Sequence, residues 1–120
     1  MLPQHHRLKN RRDFDSVYRN GIRCNAAALG LRAYQPPQSS QQLAPSRIGI
    51  SISQKVSKRA VVRNRIKRQV RAAVRQLLPD LDAGWDLVFV VYPSALECGY
   101  WEFLQQLKQL LGQVRIFHGD

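Results

Sequence analysis

Residues 55–75 read KVSKRAVVRNRIKRQVRAAVR. Lys55, Lys58, Arg59, Arg63, Arg65, Lys67, Arg68, Arg71 and Arg75 are basic and nothing there is acidic, in a chain with 19 Lys and Arg in all. From Arg59 to Leu78 neither Pro nor Gly interrupts the run, and most of its residues favour helix. With successive side chains about 100° apart around a helix axis, Val62, Ile66, Val70, Ala73 and Leu77 share one narrow apolar stripe. Asn64, Lys67, Arg68, Arg71 and Arg75 fall on the opposite side, and Arg63 and Arg65 flank the stripe. The spacing predicts an amphipathic helix, entered at Ser57 or slightly later and closed by Pro79, with one dry face and one cationic face.

A face that only conferred solubility would mix its signs. Here Lys67 repels Arg71, and Arg71 repels Arg75, each four residues apart on the helix with no carboxylate to relieve them. A polyanion that neutralises the face explains this density best. Arg outnumbers Lys on it, and a guanidinium forks onto phosphate and stacks on bases. The whole chain agrees: its formal charge is +11 and its pI near 10.7, which points to nucleic acid or an anionic surface as partner.

At 120 residues the chain predicts one RNA-binding domain over 1–120, with a globular part of about 7–112. Cys24 and Cys98 are far apart and form no metal-ligand spacing, so they read as free thiols of a reducing compartment. His5, His6 and His118 lie near the termini and assign no metal site. Residues 1–12 lack the apolar core of a signal peptide, and no apolar run approaches the roughly 20 residues of a membrane span. The expectation is a cytoplasmic protein.

In chain order, residues 1–9 read as an irregular basic lead-in. Asn10 can cap a short helix, with Asp13 placed almost as in a capping box; Phe14, Val17 and Tyr18 share a face and Gly21 ends it. Arg23–Tyr34 alternates, with Ala28, Gly30, Arg32 and Tyr34 on one side and Leu29, Leu31 and Ala33 on the other, as one strand or two short ones. Residues 35–46 form a polar, proline-containing hairpin loop. Arg47–Ser53 alternates with Ile48, Ile50 and Ile52 inward and Gly49, Ser51 and Ser53 outward. That outward face suits either a nucleic-acid strand or plain solvent. Residues 79–84 make a turn. Trp85–Tyr92 is an apolar run for a central strand, ended by Pro93. Ser94 with Glu97 offers another capping box. Tyr100, Phe103, Leu104, Leu107, Leu110 and Leu111 then form a core stripe, with Gly112 as the stop and a tail that folds back or frays.

The class is therefore α+β: a single two-layer domain of order α-β-β-β-α-β-α, a mixed four-stranded sheet with helices packed on it, and a βαβ crossover through the basic helix. No catalytic set emerges. The acids Asp13, Asp15, Asp80, Asp82, Asp86, Glu97, Glu102 and Asp120 are scattered, and there is no phosphate loop or nucleophile with a His partner. This favours a binding subunit whose partner supplies the catalysis. A ribosomal-type structural RNA-binding protein is the alternative. A stand-alone endonuclease and a membrane-surface helix fit less well.

Residues 60–68, AVVRNRIKR, resemble the signature of the bacterial ribonuclease P protein component, the small basic subunit of a tRNA-processing ribozyme. The pattern R7-L8-K9, D13-F14, V17-Y18-R19-N20-G21 resembles that family's amino-terminal region, and the resemblance extends over roughly residues 3–110. Three departures stand out. The paired lysines frequent after the central strand are here Gln54-Lys55, one residue is added between Lys55 and Ala60, and Arg32 or Tyr34 stands where an aromatic is common. The resemblance implies a left-handed crossover, against the usual right-handed rule. It implies endonucleolytic removal of the 5′ leader from precursor tRNA by a catalytic RNA that holds Mg2+, with one RNA and one protein per complex, no membrane, and a protein that is monomeric alone. It places catalytic-RNA contacts at Arg59, Arg63, Asn64, Arg65, Lys67, Arg68, Arg71 and Arg75. It places leader contacts at Arg11, Phe14, Tyr18, Arg32, Tyr34, Ser51, Ser53 and Lys55, and no catalytic residue on the protein. Whether Phe14 and Tyr18 pack on the sheet alone or also touch the leader stays open at this point.

Overall fold

A computed structural model describes residues 2–37 and 45–117. Most of the polar loop expected at 35–46, and the last residues of the tail, lie outside them. The elements follow the expected order: α1 (Arg11–Asn20), β1 (Ile22–Asn25), β2 (Leu29–Tyr34), β3 (Arg47–Ser51), α2 (Ala60–Leu77), β4 (Asp86–Val91) and α3 (Tyr100–Gln113). Short 3-10 turns occupy Gln4–His6, Leu78–Asp80 and Pro93–Glu97.

The sheet order is β1-β2-β4-β3. β2 is antiparallel to both β1 and β4, and β3 is parallel to β4. The strand–helix–strand unit through α2 is thus present. The loop after β2 is not a hairpin, however, because β4 lies between β2 and β3. The near-continuous apolar run of β4 accounts for this: a strand that must be covered on both faces takes the middle of the sheet.

One sheet face, with Leu29, Leu31, Ile48, Leu87 and Phe89, packs against Ile66, Val70 and Val74 of α2 and Phe103, Leu107 and Leu111 of α3 in a single core. The other carries a smaller cluster in which Val17 of α1 and Leu8 meet Val88, flanked by Phe14, Tyr34 and Val90. The expected two layers are the sheet with α2 and α3; α1 adds a short third layer on the opposite side. Ala28, which alternation had put with Gly30, instead joins the main core, because it precedes the strand proper.

The helix ends depart from the sequence expectation in instructive ways. Asn10 caps α1 as expected, its Oδ1 accepting from the Arg12 N–H at 3.2 Å, but the Asp13 carboxylate turns to Arg47 rather than closing a capping box. Gly21 ends α1 in extended backbone, not the left-handed region; its lack of a side chain is needed because a Cβ would lie 2.5 Å from the Val17 carbonyl oxygen and 2.9 Å from that of Ala33. α2 starts at Ala60, and the Ser57 hydroxyl only tightens the preceding turn by accepting from the Arg59 N–H at 3.2 Å. Ser94 and Glu97 form no capping box. The Ser94 hydroxyl donates to the Ala27 carbonyl at 2.8 Å, and α3 begins after Gly99. Gly112 stays inside α3. The helix stops past Gln113, near Arg115 at φ 62°, where the Ile116 N–H donates back to the Leu111 carbonyl.

Among the described residues, contacts with the fold also extend outside 7–112. Leu2 is buried in the main core, the Leu8 N–H donates to the Ile48 carbonyl at 2.8 Å, and buried Ile116 accepts from the Asp82 N–H. β3 ends at Ser51, short of Ser53.

Candidate RNA interface

α2 presents two chemically distinct sides. Ile66, Val70, Ala73, Val74 and Leu77 are buried, and Val62 packs partly against the same core. Arg59, Asn64, Arg65, Arg68, Arg71 and Arg75 are exposed, while Arg63 and Lys67 are half-buried. The Arg63 Nη1 donates to the Ser57 carbonyl at 2.8 Å, so this side chain also closes the turn that leads into the helix. Among the described residues no carboxylate pairs with any of these cations. The dry face sets the rotation of the helix, and that rotation aims the cations outward together.

On the opposite sheet face, α1 lies across one end of the strands. Phe14 packs on Gly49 of β3, so this glycine is covered rather than solvated as the alternation implied. Around Phe14 a hollow of about 210 Å³ is lined by Arg7, Lys9, Gly49, Ile50 and, from α2, Arg71 among others. Beyond α1, Ser51, Val90, Gly30 and Asn25 align across β3, β4, β2 and β1. Ser51 is half-buried, and Ser53 and Lys55 are exposed just after β3. Tyr18 is 41% exposed, and Arg11, two turns earlier on the same side of α1, is exposed as well. Tyr34 packs partly against the cluster beneath α1. Arg32 is drawn inward: its guanidinium donates to carbonyls and to the Tyr92 hydroxyl. Phe14 is thus both a packing residue and a wall of the hollow.

Sequence reasoning did not find what holds α1 in place. Arg47 forks onto Asp86 of β4, with Nε to Oδ1 at 2.9 Å and Nη2 to Oδ2 at 2.8 Å, while its Nη1 reaches Asp13 of α1 at 2.9 Å. The hydrogen bond from Arg47 to Asp86 leads in raising the Arg47 pKa above its ordinary value, with both carboxylate charges adding and burial opposing. The missing signal is register. Arg47 and Asp86 are direct partners across β3 and β4, which spacing along the chain does not reveal.

Among the described residues no three of His, Cys, Asp and Glu gather as metal ligands. Asp13 and Asp86 are spent on Arg47. No helix among the described residues is long and apolar enough to cross a membrane.

The ribonuclease P family model matches residues 2–115. The chain belongs to the ribonuclease P protein family. The ribonuclease P protein component of a Cyanothece species is 55% identical, over 99% of this chain and 99% of the relative. That of Microcystis aeruginosa is 52% identical, over 98% of each. Among solved structures, the ribonuclease P protein of Staphylococcus aureus superposes with a TM-score of 0.80 at 22% identity, covering 94% of this chain and 98% of the other. The Thermotoga maritima ribonuclease P protein gives 0.75 at 25% identity with the same coverage. These likenesses share the α+β fold described above. The chain is accordingly a protein subunit of ribonuclease P, an endoribonuclease of tRNA processing.

Proposed function

We propose that this ribonuclease P protein binds the catalytic RNA through the outer face of α2 and the 5′ leader of precursor tRNA through the cleft beside α1. Arg59, Arg63, Asn64, Arg65, Lys67, Arg68, Arg71 and Arg75 meet phosphates of the catalytic RNA. Arg11, Phe14, Tyr18, Arg32, Tyr34, Ser51, Ser53 and Lys55 meet the leader. One protein serves one RNA, in the cytoplasm, and the protein alone is a monomer. Mg2+ in this reading is held by the RNA.

The observation that carries the reading is the split character of α2: a buried stripe, and a cationic face that no carboxylate of the described residues neutralises. Such a face lowers the repulsion between two folded RNAs, as divalent ions do at high concentration. The protein then supplies binding and positioning.

The test is single-turnover cleavage of precursor tRNA across a magnesium series, with protein alone, bacterial-type catalytic RNA alone, and both. The protein raises the rate most where magnesium is scarce, and the advantage shrinks as magnesium rises. Specific 5′ cleavage by nuclease-free protein alone would reject the binding-subunit role. An advantage independent of magnesium would reject charge screening.

A further inference from the structure

Arg32 is 8% exposed, and every acceptor around its guanidinium is neutral. Nη1 donates to the carbonyls of Leu31 at 3.1 Å and Cys24 at 3.5 Å and to Asn25 Oδ1 at 3.4 Å; Nη2 donates to the Tyr92 hydroxyl at 3.3 Å. Nε has no partner, and no carboxylate of the described residues pairs with the group. A buried cation without a counter-charge is costly. The register adds to the cost: Arg23 of β1 stands directly opposite Arg32 on the same sheet face, and like charges in that relation repel.

The surrounding side chains are built around this charge. The Tyr92 hydroxyl donates to Asn25 Oδ1 at 2.5 Å while it accepts from Arg32. All three close over Gly30, where any Cβ would collide with the Tyr92 hydroxyl, Asn25 Oδ1 and Arg32 Nη1. The outer members Arg23 and Asn25 are exposed. Two cations and an amide thus stand at neighbouring positions of β1 and β2 beside the cleft floor, with no carboxylate of the described residues paired to them.

We propose that Arg23, Asn25 and Arg32 form a phosphodiester subsite for the 5′ leader, with Tyr92 as the residue that positions Arg32. The proposal rests on the cleft beside α1 being the leader path. Phosphate supplies the missing negative charge and accepts from both guanidinium groups and the amide. Phe14 sits over β3 and Arg32 lies on β2, two strand spacings away, roughly 10 Å. The phosphate therefore belongs to a different nucleotide from the one beside Phe14.

The experiment uses holoenzyme reconstituted with a bacterial-type catalytic RNA and precursor tRNAs carrying a single uncharged methylphosphonate at each leader linkage in turn. With the unaltered protein, one linkage weakens binding about tenfold when neutralised. In Arg32→Gln and in Arg23→Gln that penalty disappears, while Phe14→Ala retains it. Tyr92→Phe reduces it without removing it. Arg23 is exposed, so Arg23→Gln decides the matter even if Arg32→Gln fails to fold. A penalty that survives in Arg23→Gln and in folded Arg32→Gln overturns the subsite and leaves the leader path standing. Equal weakening of a leaderless substrate assigns the phosphate to the catalytic RNA and likewise overturns it. If leader length itself has no effect on the unaltered holoenzyme, the leader path is wrong and the subsite falls with it.

Discussion

Phe14 lies directly on the bare backbone of Gly49, so close that a Cβ there would approach the ring Cε1 to 2.7 Å. The contact joins the first turn of α1 to the edge strand of the sheet and fixes the ring at the mouth of the hollow. Gly49→Ala is expected to destabilise the protein by about 1–2 kcal/mol through overpacking. In a Phe14→Ala background the same substitution costs little. Urea denaturation of the four proteins of this cycle measures the coupling, and additive costs would show that the two residues do not press on one another.

The same ring gives a functional expectation. Stacking of a base on an aromatic contributes on the order of 1–3 kcal/mol. Phe14→Ala is expected to weaken holoenzyme binding of precursor tRNA with a leader of several nucleotides and to leave a one-nucleotide leader nearly unaffected. Equal losses for both substrates would confine Phe14 to packing.

For α2 the readout is the salt dependence of binding to the catalytic RNA. Each phosphate contact contributes roughly 0.7–0.9 to the slope of log K against log salt. Replacing Arg65 and Arg68 by Ala should lower that slope by roughly one to two units while circular dichroism stays unchanged. An unchanged slope in the folded double variant would exclude this face.

Arg47→Met leaves the Asp86 carboxylate, whose side chain is 6% exposed, without its forked partner. Arg47 itself is partly exposed and water softens the loss, so the expected cost is about 2 kcal/mol. Arg47→Lys keeps the charge but not the fork and recovers only part of it. The raised Arg47 pKa has a defined sign. Stability from a raised basic group is present below its unfolded value and is lost only as pH rises through the folded one. Denaturation midpoints should therefore show no loss from Arg47 at moderately alkaline pH.

Burial leads in pushing the Cys98 thiol above its ordinary range, and the Glu102 and Glu97 carboxylates push the same way. The thiolate is the reactive form. Alkylation of Cys98 by iodoacetamide should rise with pH along a curve whose midpoint lies above that of a free thiol, and Glu102→Gln should move it down. A midpoint at or below that of a free thiol would contradict the assignment.

The periodic elements were legible in the sequence because burial imposes their spacing. Val62, Ile66, Val70, Ala73 and Leu77 are a helix face whatever they pack on, and the apolar run Trp85–Tyr92 reads as a strand covered on both sides, which forms over Asp86–Val91. Features decided by contacts between distant residues were not. Ser94 followed by Glu97 matches a capping pattern, yet the hydroxyl bonds to Ala27 across the fold. Gly112 looks like a helix stop, but the chain turns only at Arg115, where Ile116 drops into the core. Gly49 looks solvent-facing until Phe14 is placed on it. Of the candidate site, the cations of α2 could be read from helical spacing alone. The anchoring of α1 by Arg47 and the burial of Arg32 both depend on which strands are neighbours.

The central position of β4 has a consequence for how this protein comes into being. β2 and β3 are joined in the sheet only through it, so a nascent chain that has not yet reached Val91 possesses the β1–β2 pair and the charged helix without the strand that unites them in one sheet. The groove beside α1 is assembled from residues synthesised both before and after α2, and the apolar stripe of α2 waits longer still for its cover from α3. Vectorial synthesis therefore delivers the cationic surface of α2 ahead of the domain that supports it, and folding is gated by a strand late in the chain.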